Sequence, residues 1–365
     1  MPAPLADPAV RRVALVRLRV GLGDLLCSVP ALRALRTARP DVRVSLITWP
    51  EMAPVVDRMS AYVDELLPFP GHPGIPERPA DPAGWAPFLA ATAQRGFDLA
   101  VQCYGNTAAA NVVTAAVGAR LVGGFAPTGW RPTRHKDLHL DYPVRLHEVE
   151  RHLRLMELLG VPLGPDAGRM EFPIGPAEEA EHTALLAAHG LRPGRYVVMH
   201  PGASSPSRRW PARRFAAVAD ALAAEGLDVV LTGVRGEREI TSAVASAMTA
   251  RQVDLTGRTS LGGLAALLRD AALTISNDTG TAHLTAAVGG RSVVVFLTGE
   301  PWRWAHPGDR HAAVRVEVGC NPCPHLDCPI DHRCATSVTT AMVVRAARQV
   351  LAAPAEPGDR TCAAP

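Results

Sequence analysis

The sequence predicts an α/β protein with two Rossmann-like domains that face each other across a cleft. Short apolar runs alternate with segments of helical periodicity in both halves of the chain. Residues 161–178, rich in Pro and Gly and without a clear period, separate the two halves as a linker. Strands that alternate with helices form a mostly parallel sheet covered on both faces. Two such domains around a linker place a ligand cleft between them.

The first half opens with a strand at 13–18, which Gly21 and Gly23 end before a helix begins. The pattern of apolar residues predicts further strands at 42–48 and 97–103, and helices at 51–59, 83–95, 107–117 and 145–160. The last helix is amphipathic and ends at a glycine, as many helices do.

The alternation restarts after the linker. It predicts strands at 196–200, 227–233, 253–256, 272–276 and 292–298, and helices at 211–225, 236–249, 260–270, from about 280, and at 337–352. We therefore predict an N-terminal domain over 1–165 and a C-terminal domain over 166–336. Residues 337–365 should form a helix that packs back toward the N-terminal domain, followed by a tail.

Length and composition fit a globular protein of two domains. The chain has 365 residues, of which 47% are hydrophobic and 20% charged, and its formal net charge is +3. No long run of Lys and Arg indicates nucleic-acid binding, and no stretch reaches the roughly 18 apolar residues of a membrane span. Because residues 1–12 also lack the order of a signal peptide, we expect a cytoplasmic protein, with peripheral membrane contact still open.

The stretch 277–283 (NDTGTAH) lies between an apolar strand and a helix. A loop in that place offers free backbone N–H groups and the positive end of a helix dipole, which suits a phosphate. Gly280 permits close approach of the backbone, and the threonines add hydroxyl donors. The alternative is that Asp278 or Thr279 only caps the helix, which is worth ~1 kcal/mol.

Two other loops also follow strands. The loop 200–211 (HPGASSPSRRWP) combines small hydroxyl residues with Arg208 and Arg209, and arginine can hold a diphosphate through two hydrogen bonds. In 233–237 (GVRGE), the Glu237 carboxylate can accept hydrogen bonds from two ribose hydroxyls. The alternatives are a solvated basic loop and a glutamate that stabilises the first turn of a helix.

The segment 21–24 (GLGD) resembles a dinucleotide fingerprint but lacks its third glycine, so it is weak support for a nicotinamide cofactor. Across the predicted cleft, the Asp24 carboxylate could take a proton from an acceptor hydroxyl. It could equally stabilise only the first helical turn.

Four of the seven cysteines, Cys320, Cys323, Cys328 and Cys334, crowd into one segment with interleaved His and Asp. Such spacing can bind zinc, but structural zinc sites usually have two CxxC pairs with a longer gap. Without a secretion signal, a disulfide framework is not expected. Buried thiols in a Pro-rich loop are the favoured interpretation.

The ordered motifs RLRVGLGD, HPGASS with RRWP, TGVRGE, DLTGRTSLGGLAALL and SNDTGTAHLTAA together resemble glycosyltransferase family 9. Its best-known members are ADP-heptose:lipopolysaccharide heptosyltransferases, and the resemblance extends over about 13–345. It implies a GT-B fold with the acceptor in the N-terminal domain and the nucleotide-sugar in the C-terminal domain. It also implies inversion at the anomeric carbon with no metal ion and no cofactor.

The resemblance implies a role for particular residues as well. Asp24 would be the catalytic base, on an acceptor-side loop with Gly21 and Gly23. The implied donor contacts are Ser204 and Ser205 at the diphosphate, Arg209 where the family commonly has Lys, Glu237 at the ribose, Thr259 near the adenine, and Asp278, Thr279, Gly280 and His283 along the phosphate and sugar.

These implications combine into one hypothesis, an inverting transferase that moves a heptose or related sugar from an ADP-sugar to an acceptor hydroxyl. A glycan, a lipid-linked sugar or a small molecule would serve as acceptor, and family precedent favours a lipopolysaccharide inner core. Two alternatives stay open at this point. One is a nucleotide-sugar epimerase or isomerase on a similar fold, and the other is a non-catalytic nucleotide-binding or zinc-stabilised protein.

Overall fold

The computed structural model describes residues 3–130, 132 and 134–354, and the chain divides between Met170 and Glu171 into two compact units. The division falls inside the predicted linker 161–178. Each unit contains one six-stranded parallel sheet with helices packed on it. The predicted α/β class with two Rossmann-like domains is confirmed. Among the described residues, no helix is long and apolar enough to cross a bilayer.

The first unit has strands β1 (Arg12–Val16), β2 (Arg43–Thr48), β3 (Glu65–Pro68), β4 (Leu99–Gln102), β5 (Leu121–Ala126) and β6 (His139–Asp141). Its helices are α1 (Leu22–Leu26), α2 (Val29–Ala38), α3 (Ala53–Val56), α4 (Trp85–Arg95), α5 (Ala108–Ala116) and α6 (Glu148–Leu158). The strands pair in the order β3-β2-β1-β4-β5-β6, with Val16 opposite both Ile47 and Gln102. The order reverses between β1 and β4, so a crevice forms at their carboxyl ends.

The second unit has strands β7 (Tyr196–His200), β8 (Asp228–Leu231), β9 (Gln252–Asp254), β10 (Leu273–Asn277), β11 (Ser292–Val295) and β12 (His311–Val314). Its helices are α7 (Pro176–His189), α8 (Ala212–Ala224), α9 (Arg238–Ala247), α10 (Leu261–Asp270), α11 (Gly280–Ala287), α12 (Pro301–Trp304), α13 (Arg333–Ser337) and α14 (Thr340–Ala352). The order β12-β11-β10-β7-β8-β9 repeats the topology of the first sheet, with the reversal between β7 and β10.

Helix α7 occupies residues that the sequence assigned partly to the linker. Pro176 starts it, and Glu178 Oε2 accepts a hydrogen bond from the Gly175 N–H at 2.9 Å. Gly190, with φ of 67°, ends it. Because His182 is the one residue of α7 that is fully buried, the helix has almost no apolar periodicity by which to predict it.

The helix predicted within residues 337–365 is α14 (Thr340–Ala352), and its packing back toward the N-terminal domain stays a prediction. Val343, Ala347 and Val350 of α14 belong to the core of the C-terminal unit, where the helix packs on α8, β11 and β12. Val293 and Val295 of β11 belong to the same core, so α14 supplies the apolar cover on that face of the sheet. The predicted tail, 355–365, lies outside the described residues.

Candidate active site

Asp24 lies in the first turn of α1, just beyond the carboxyl end of β1. Its carboxylate folds back over Gly21, so that a Cβ atom at position 21 would lie 2.3 Å from Asp24 Oδ2. Glycine is therefore required at position 21 for this arrangement, whereas Gly23 is buried within α1. The Asp24 side chain is 22% exposed and so is accessible to a ligand.

Two arginines face the Asp24 carboxylate. Arg17 Nη2 lies 3.5 Å from Asp24 Oδ1 and donates a hydrogen bond of 2.9 Å to the Asp24 backbone carbonyl. Arg19 Nε lies 3.9 Å from the same Oδ1, while its Nη1 pairs with Glu77 at 3.2 Å. The Arg19 guanidinium also lies over the ring of Tyr104, whose hydroxyl donates to Glu77 at 2.7 Å. The negative charge of Asp24 thus lies near two guanidinium groups, at the crevice formed by the carboxyl ends of β1 and β4.

In the second unit, Asn277 connects the end of β10 to the loop that follows β7. Its Oδ1 accepts a hydrogen bond from the Trp210 N–H at 3.0 Å, and its Nδ2 donates to the Pro201 carbonyl at 2.7 Å. Asn277 and Trp210 are buried. Both ends of the loop 201–210 are therefore held against the carboxyl end of β10.

Glu237 connects the loops that follow β7 and β8. A Cβ atom at Gly202 would lie 2.1 Å from Glu237 Oε1, and one at Gly233 would lie 3.1 Å from Oε2. Glu237 Oε2 accepts a hydrogen bond from the Val234 N–H at 2.9 Å. It lies 3.9 Å from His200 Nε2. Burial lowers the pKa of His200 although the negative charge of Glu237 acts in the opposite direction, so the imidazole is neutral at pH 7.

Asp278 stands at the start of the phosphate-binding candidate loop, and only 4% of it is exposed. A Cβ atom at Gly299, in the loop after β11, would lie 2.0 Å from Asp278 Oδ2. Arg208 Nη1 approaches the same oxygen at 3.8 Å. Arg209 Nε instead donates to the Ala203 carbonyl at 2.9 Å, so the two arginines have different partners.

Helix α11 begins at Gly280, and Thr279 is its N-cap residue without a side-chain hydrogen bond to the helix. The amino end of α11 therefore presents backbone N–H groups beside Asp278. His283, one turn further along, is buried, and its Nδ1 is 2.9 Å from His306 Nε2. Its ring also packs edge-on against Trp304 at 5.6 Å between centroids.

Thr259 is half-buried, directly before the α10 N-cap Ser260. The Gly257 N–H donates to the Gly233 carbonyl at 2.8 Å, so the Thr259 loop is attached to the loop that carries Glu237. The three loops around Ser204, Glu237 and Asp278 thus meet at the carboxyl edge of the second sheet.

The model of glycosyltransferase family 9 (heptosyltransferase) matches residues 89–333. The chain belongs to this family. The lipooligosaccharide heptosyltransferase 2 of Haemophilus influenzae is 28% identical over 194 residues, which are 49% of this chain and 54% of that relative. The chain thus spans about half the length of this curated relative.

Two solved structures resemble the family 9 chain in fold. The glycosyl transferase family 9 protein of Veillonella parvula has a TM-score of 0.79 and 21% identity, over 93% of this chain and 97% of its own. The ADP-heptose lps heptosyltransferase II of E. coli has a TM-score of 0.66 and 19% identity, over 93% and 98%. Both likenesses confirm the GT-B type of fold that the motifs imply.

The two serines of the loop after β7, Ser204 and Ser205, differ in exposure and in their hydrogen bonds. Ser204 is exposed, whereas the hydroxyl of buried Ser205 donates to the Leu326 carbonyl at 2.6 Å and lies 2.8 Å from Ser207 Oγ. Ser207 in turn donates to the His325 carbonyl at 2.6 Å. Ser205 therefore holds the cysteine-rich segment 320–334 in place, and its expected contact with a diphosphate stays a prediction.

The cysteine-rich segment 320–334 is attached by hydrogen bonds to the loops that follow β7 and β11. The Cys323 N–H donates to the Thr298 carbonyl at 3.0 Å, and His332 Nε2 lies 2.8 Å from the Ser207 carbonyl. Cys334 is buried, and burial raises the pKa of its thiol, whereas Cys320 is exposed. Within the described ranges, no three His, Cys, Asp or Glu side chains are grouped to hold a metal ion. The expectation of buried thiols therefore holds for Cys334 and not for Cys320.

His306 and Trp304, which pack on His283, were not predicted as site residues. The available signal is the aromatic and histidine content of 302–311 (WRWAHPGDRH), directly after a predicted strand. Arg17 and Glu77 were not predicted either, because their relation to Asp24 depends on side-chain directions.

Proposed function

We propose that this family 9 chain transfers a heptose or closely related sugar from an ADP-sugar to an acceptor hydroxyl with inversion at the anomeric carbon. The observation that carries the proposal is the meeting of three loops, after β7, β8 and β10, around Glu237 and Asp278 in the C-terminal unit. Membership of family 9 supports the reaction class. The E. coli protein of similar fold is named for ADP-heptose, which supports that donor.

In this proposal the donor lies along the carboxyl edge of the second sheet. Glu237 accepts hydrogen bonds from the ribose hydroxyls, and Thr259 lies near the adenine. The diphosphate contacts Ser204 and the amino end of α11 at Thr279 and Gly280, with Arg208 and Arg209 as cations. Asp278 and His283 would then line the donor sugar.

Asp24 acts as the general base. It accepts the proton of the acceptor hydroxyl while that oxygen forms a bond to the anomeric carbon from the face opposite the phosphate. The bond from the anomeric carbon to the phosphate oxygen breaks, and ADP departs with the electron pair. The two arginines and the helix end stabilise its growing charge, so we propose that no metal ion takes part.

Nucleotide selection tests the donor assignment. The purified chain is melted with ADP, UDP, GDP or TDP, and a ligand at ~100 times its dissociation constant adds ~2.7 kcal/mol to the stability of the folded state. We expect ADP to give the largest rise in Tm, in EDTA as well as in Mg²⁺. A preference for UDP or TDP would contradict the ADP-sugar assignment.

Product analysis tests the reaction class. With ADP-heptose, we expect ADP release that depends on an added acceptor, for which inner-core lipooligosaccharide is the first probe. Conversion of the sugar to another nucleotide-sugar without any acceptor would instead identify an epimerase or isomerase. Proton NMR of the glycoside reports whether the anomeric configuration is inverted.

A further inference from the structure

The N-terminal unit contains a buried charged cluster that the proposed reaction does not use directly. Glu148, Arg151 and His152 project from one face of α6, and Arg17 comes from the end of β1. Arg17 and Arg151 are each 1% exposed and Glu148 is 2% exposed. Placing charges inside a protein is costly unless each one is paired and hydrogen-bonded. The cost of burying these charges suggests that the cluster has a function beyond stability.

The Glu148 carboxylate lies between the two guanidinium groups. Its Oε1 accepts from Arg17 Nη2 at 3.1 Å, and its Oε2 accepts from Arg151 Nη1 at 2.7 Å. Burial disfavours the charged form of Arg17, but the negative charges of Glu148 and Asp24 outweigh it and raise the pKa of the guanidinium. Burial, assisted by the positive charge of Arg17, lowers the pKa of His152, which leaves that imidazole neutral at pH 7. The cluster of Arg17, Arg151 and Glu148 therefore carries one net positive charge.

Asp24 supplies the balancing negative charge. Arg17 Nη2 contacts both Glu148 and the Asp24 backbone carbonyl, and lies 3.5 Å from the Asp24 carboxylate. Arg17 Nη1 is occupied by the carbonyls of Cys103 at 2.9 Å and Tyr104 at 3.2 Å. Both terminal nitrogens of the Arg17 guanidinium are therefore held by hydrogen bonds, which fix its position.

We propose that Arg17, held by Glu148, is a positioning residue that sets the orientation of Asp24 for proton abstraction. The proposal rests on the function proposed above, because it assigns Arg17 a role that acts only through Asp24. The carboxylate of Asp24 lies between Gly21 and the Arg17 guanidinium, so these two neighbours together limit where it can move. Arg151 provides a natural comparison, since it is equally buried and shares Glu148 but has a different set of contacts, with Tyr142 and two backbone carbonyls.

The test is a double-mutant cycle on the full chain. The variants are Arg17→Lys, Glu148→Gln, Asp24→Asn and the two combinations with Asp24→Asn, with Arg151→Lys as the matched control. ADP release from ADP-heptose is measured with inner-core lipooligosaccharide or water as acceptor, and thermal melting verifies folding. We expect Arg17→Lys to lower kcat by about 100-fold, as a small misplacement of a reacting group does, with the KM for ADP-heptose unchanged.

In the Asp24→Asn background, neither Arg17→Lys nor Glu148→Gln should lower the remaining rate more than about threefold. The reason is that the effects of substitutions at coupled residues do not add. Arg151→Lys should lower Tm but leave kcat within about threefold of the wild type. Additive effects in the cycle, or equal losses of kcat for Arg17→Lys and Arg151→Lys, would overturn the positioning role. Full activity of Asp24→Asn would instead refute the proposed base, which is a separate outcome.

Discussion

The carboxylate of Glu237 occupies the space that a side chain at Gly202 would fill, with a Cβ atom there only 2.1 Å from Oε1. Gly202 follows β7 and Glu237 follows β8, so this contact sets the distance between the loops after these two strands. A glycine whose missing side chain makes room for a carboxylate occurs again at Gly21 with Asp24 and at Gly299 with Asp278. Each of the three carboxylates of the proposed site thus lies against a glycine in a loop at the carboxyl edge of a sheet.

The substitution Gly202→Ala should weaken ADP binding without unfolding the chain. The methyl group displaces Glu237, and losing hydrogen bonds to a charged group costs about 1.5–3 kcal/mol, so the Kd for ADP should rise about tenfold or more. Titration calorimetry with ADP measures this. Gly236→Ala in the neighbouring loop is the matched control, because a Cβ atom at that position would meet nothing within 4 Å. An unchanged Kd for Gly202→Ala would contradict the role of Glu237.

The substitution Gly21→Ala should impair transfer and spare ADP binding. Asp24 must move away from the methyl group, and displacement of a catalytic group by about 1 Å can cost about 100-fold in rate. ADP release from ADP-heptose and ADP titration are measured side by side. Gly164→Ala, at an open position of the same unit, should leave both quantities unchanged. A parallel loss of ADP affinity in Gly21→Ala would place Asp24 at the donor instead.

Ser204→Ala and Ser205→Ala should affect different properties, ADP affinity for the first and thiol reactivity for the second. Ser205→Ala leaves the Leu326 carbonyl without its side-chain partner, which costs about 1 kcal/mol, and loosens the cysteine-rich segment 320–334. Its Cys323 and Cys328 thiols should then react faster with a maleimide, as mass spectrometry can show. Ser204→Ala should leave thiol reactivity unchanged and reduce ADP affinity. Equal thiol reactivity in both variants would contradict the holding role of Ser205.

How far the sequence predicts the fold depends on the length and burial of each strand. The apolar runs at 196–200 and 272–276 predicted β7 and β10, which are central strands with every residue buried. The strands β3, β6 and β12 were not predicted; they are edge strands of three or four residues with mostly half-buried or exposed side chains. The edge strand β9 has the same character but was predicted, at 253–256. Strand β5 was not predicted because its two central glycines interrupt the pattern of apolar side chains.

Most of the candidate site could be located from motifs, but its internal contacts could not. The stretch NDTGTAH and the loop HPGASS are contiguous, so their position after strands is visible in the sequence. The contact of Gly202 with Glu237 depends on β7 and β8 being neighbours, and that of Arg17 with Glu148 joins opposite ends of the first unit. Such contacts follow from the topology, which no local pattern contains.

Acidic pH should destabilise the C-terminal unit through His311. Burial, together with the positive charge of Arg310, lowers the pKa of His311 to about 4. Because the unfolded state, with an ordinary pKa of ~6.5, binds the proton first, stability is retained above pH ~6.5 and is lost as the pH falls toward 4. The free energy of unfolding should drop by about 2 kcal/mol between pH 7.5 and pH 5 from this group.

Urea unfolding at several pH values measures this dependence. His311→Asn, which keeps a polar partner for Ser292 Oγ but cannot titrate, should flatten the acid part of the curve. The same slope in His311→Asn and in the wild type would show that other groups dominate.

The measurement that tests the central claim most directly compares Asp24→Asn with the wild type in ADP release and in ADP affinity. A general base contributes roughly 10²- to 10⁴-fold, so ADP release from ADP-heptose with inner-core lipooligosaccharide should fall by about that factor. The Kd for ADP should stay within about twofold, because the loops proposed to bind ADP all belong to the C-terminal unit. Wild-type turnover by the variant, or loss of ADP binding together with turnover, would contradict Asp24 as the base of this glycosyltransferase.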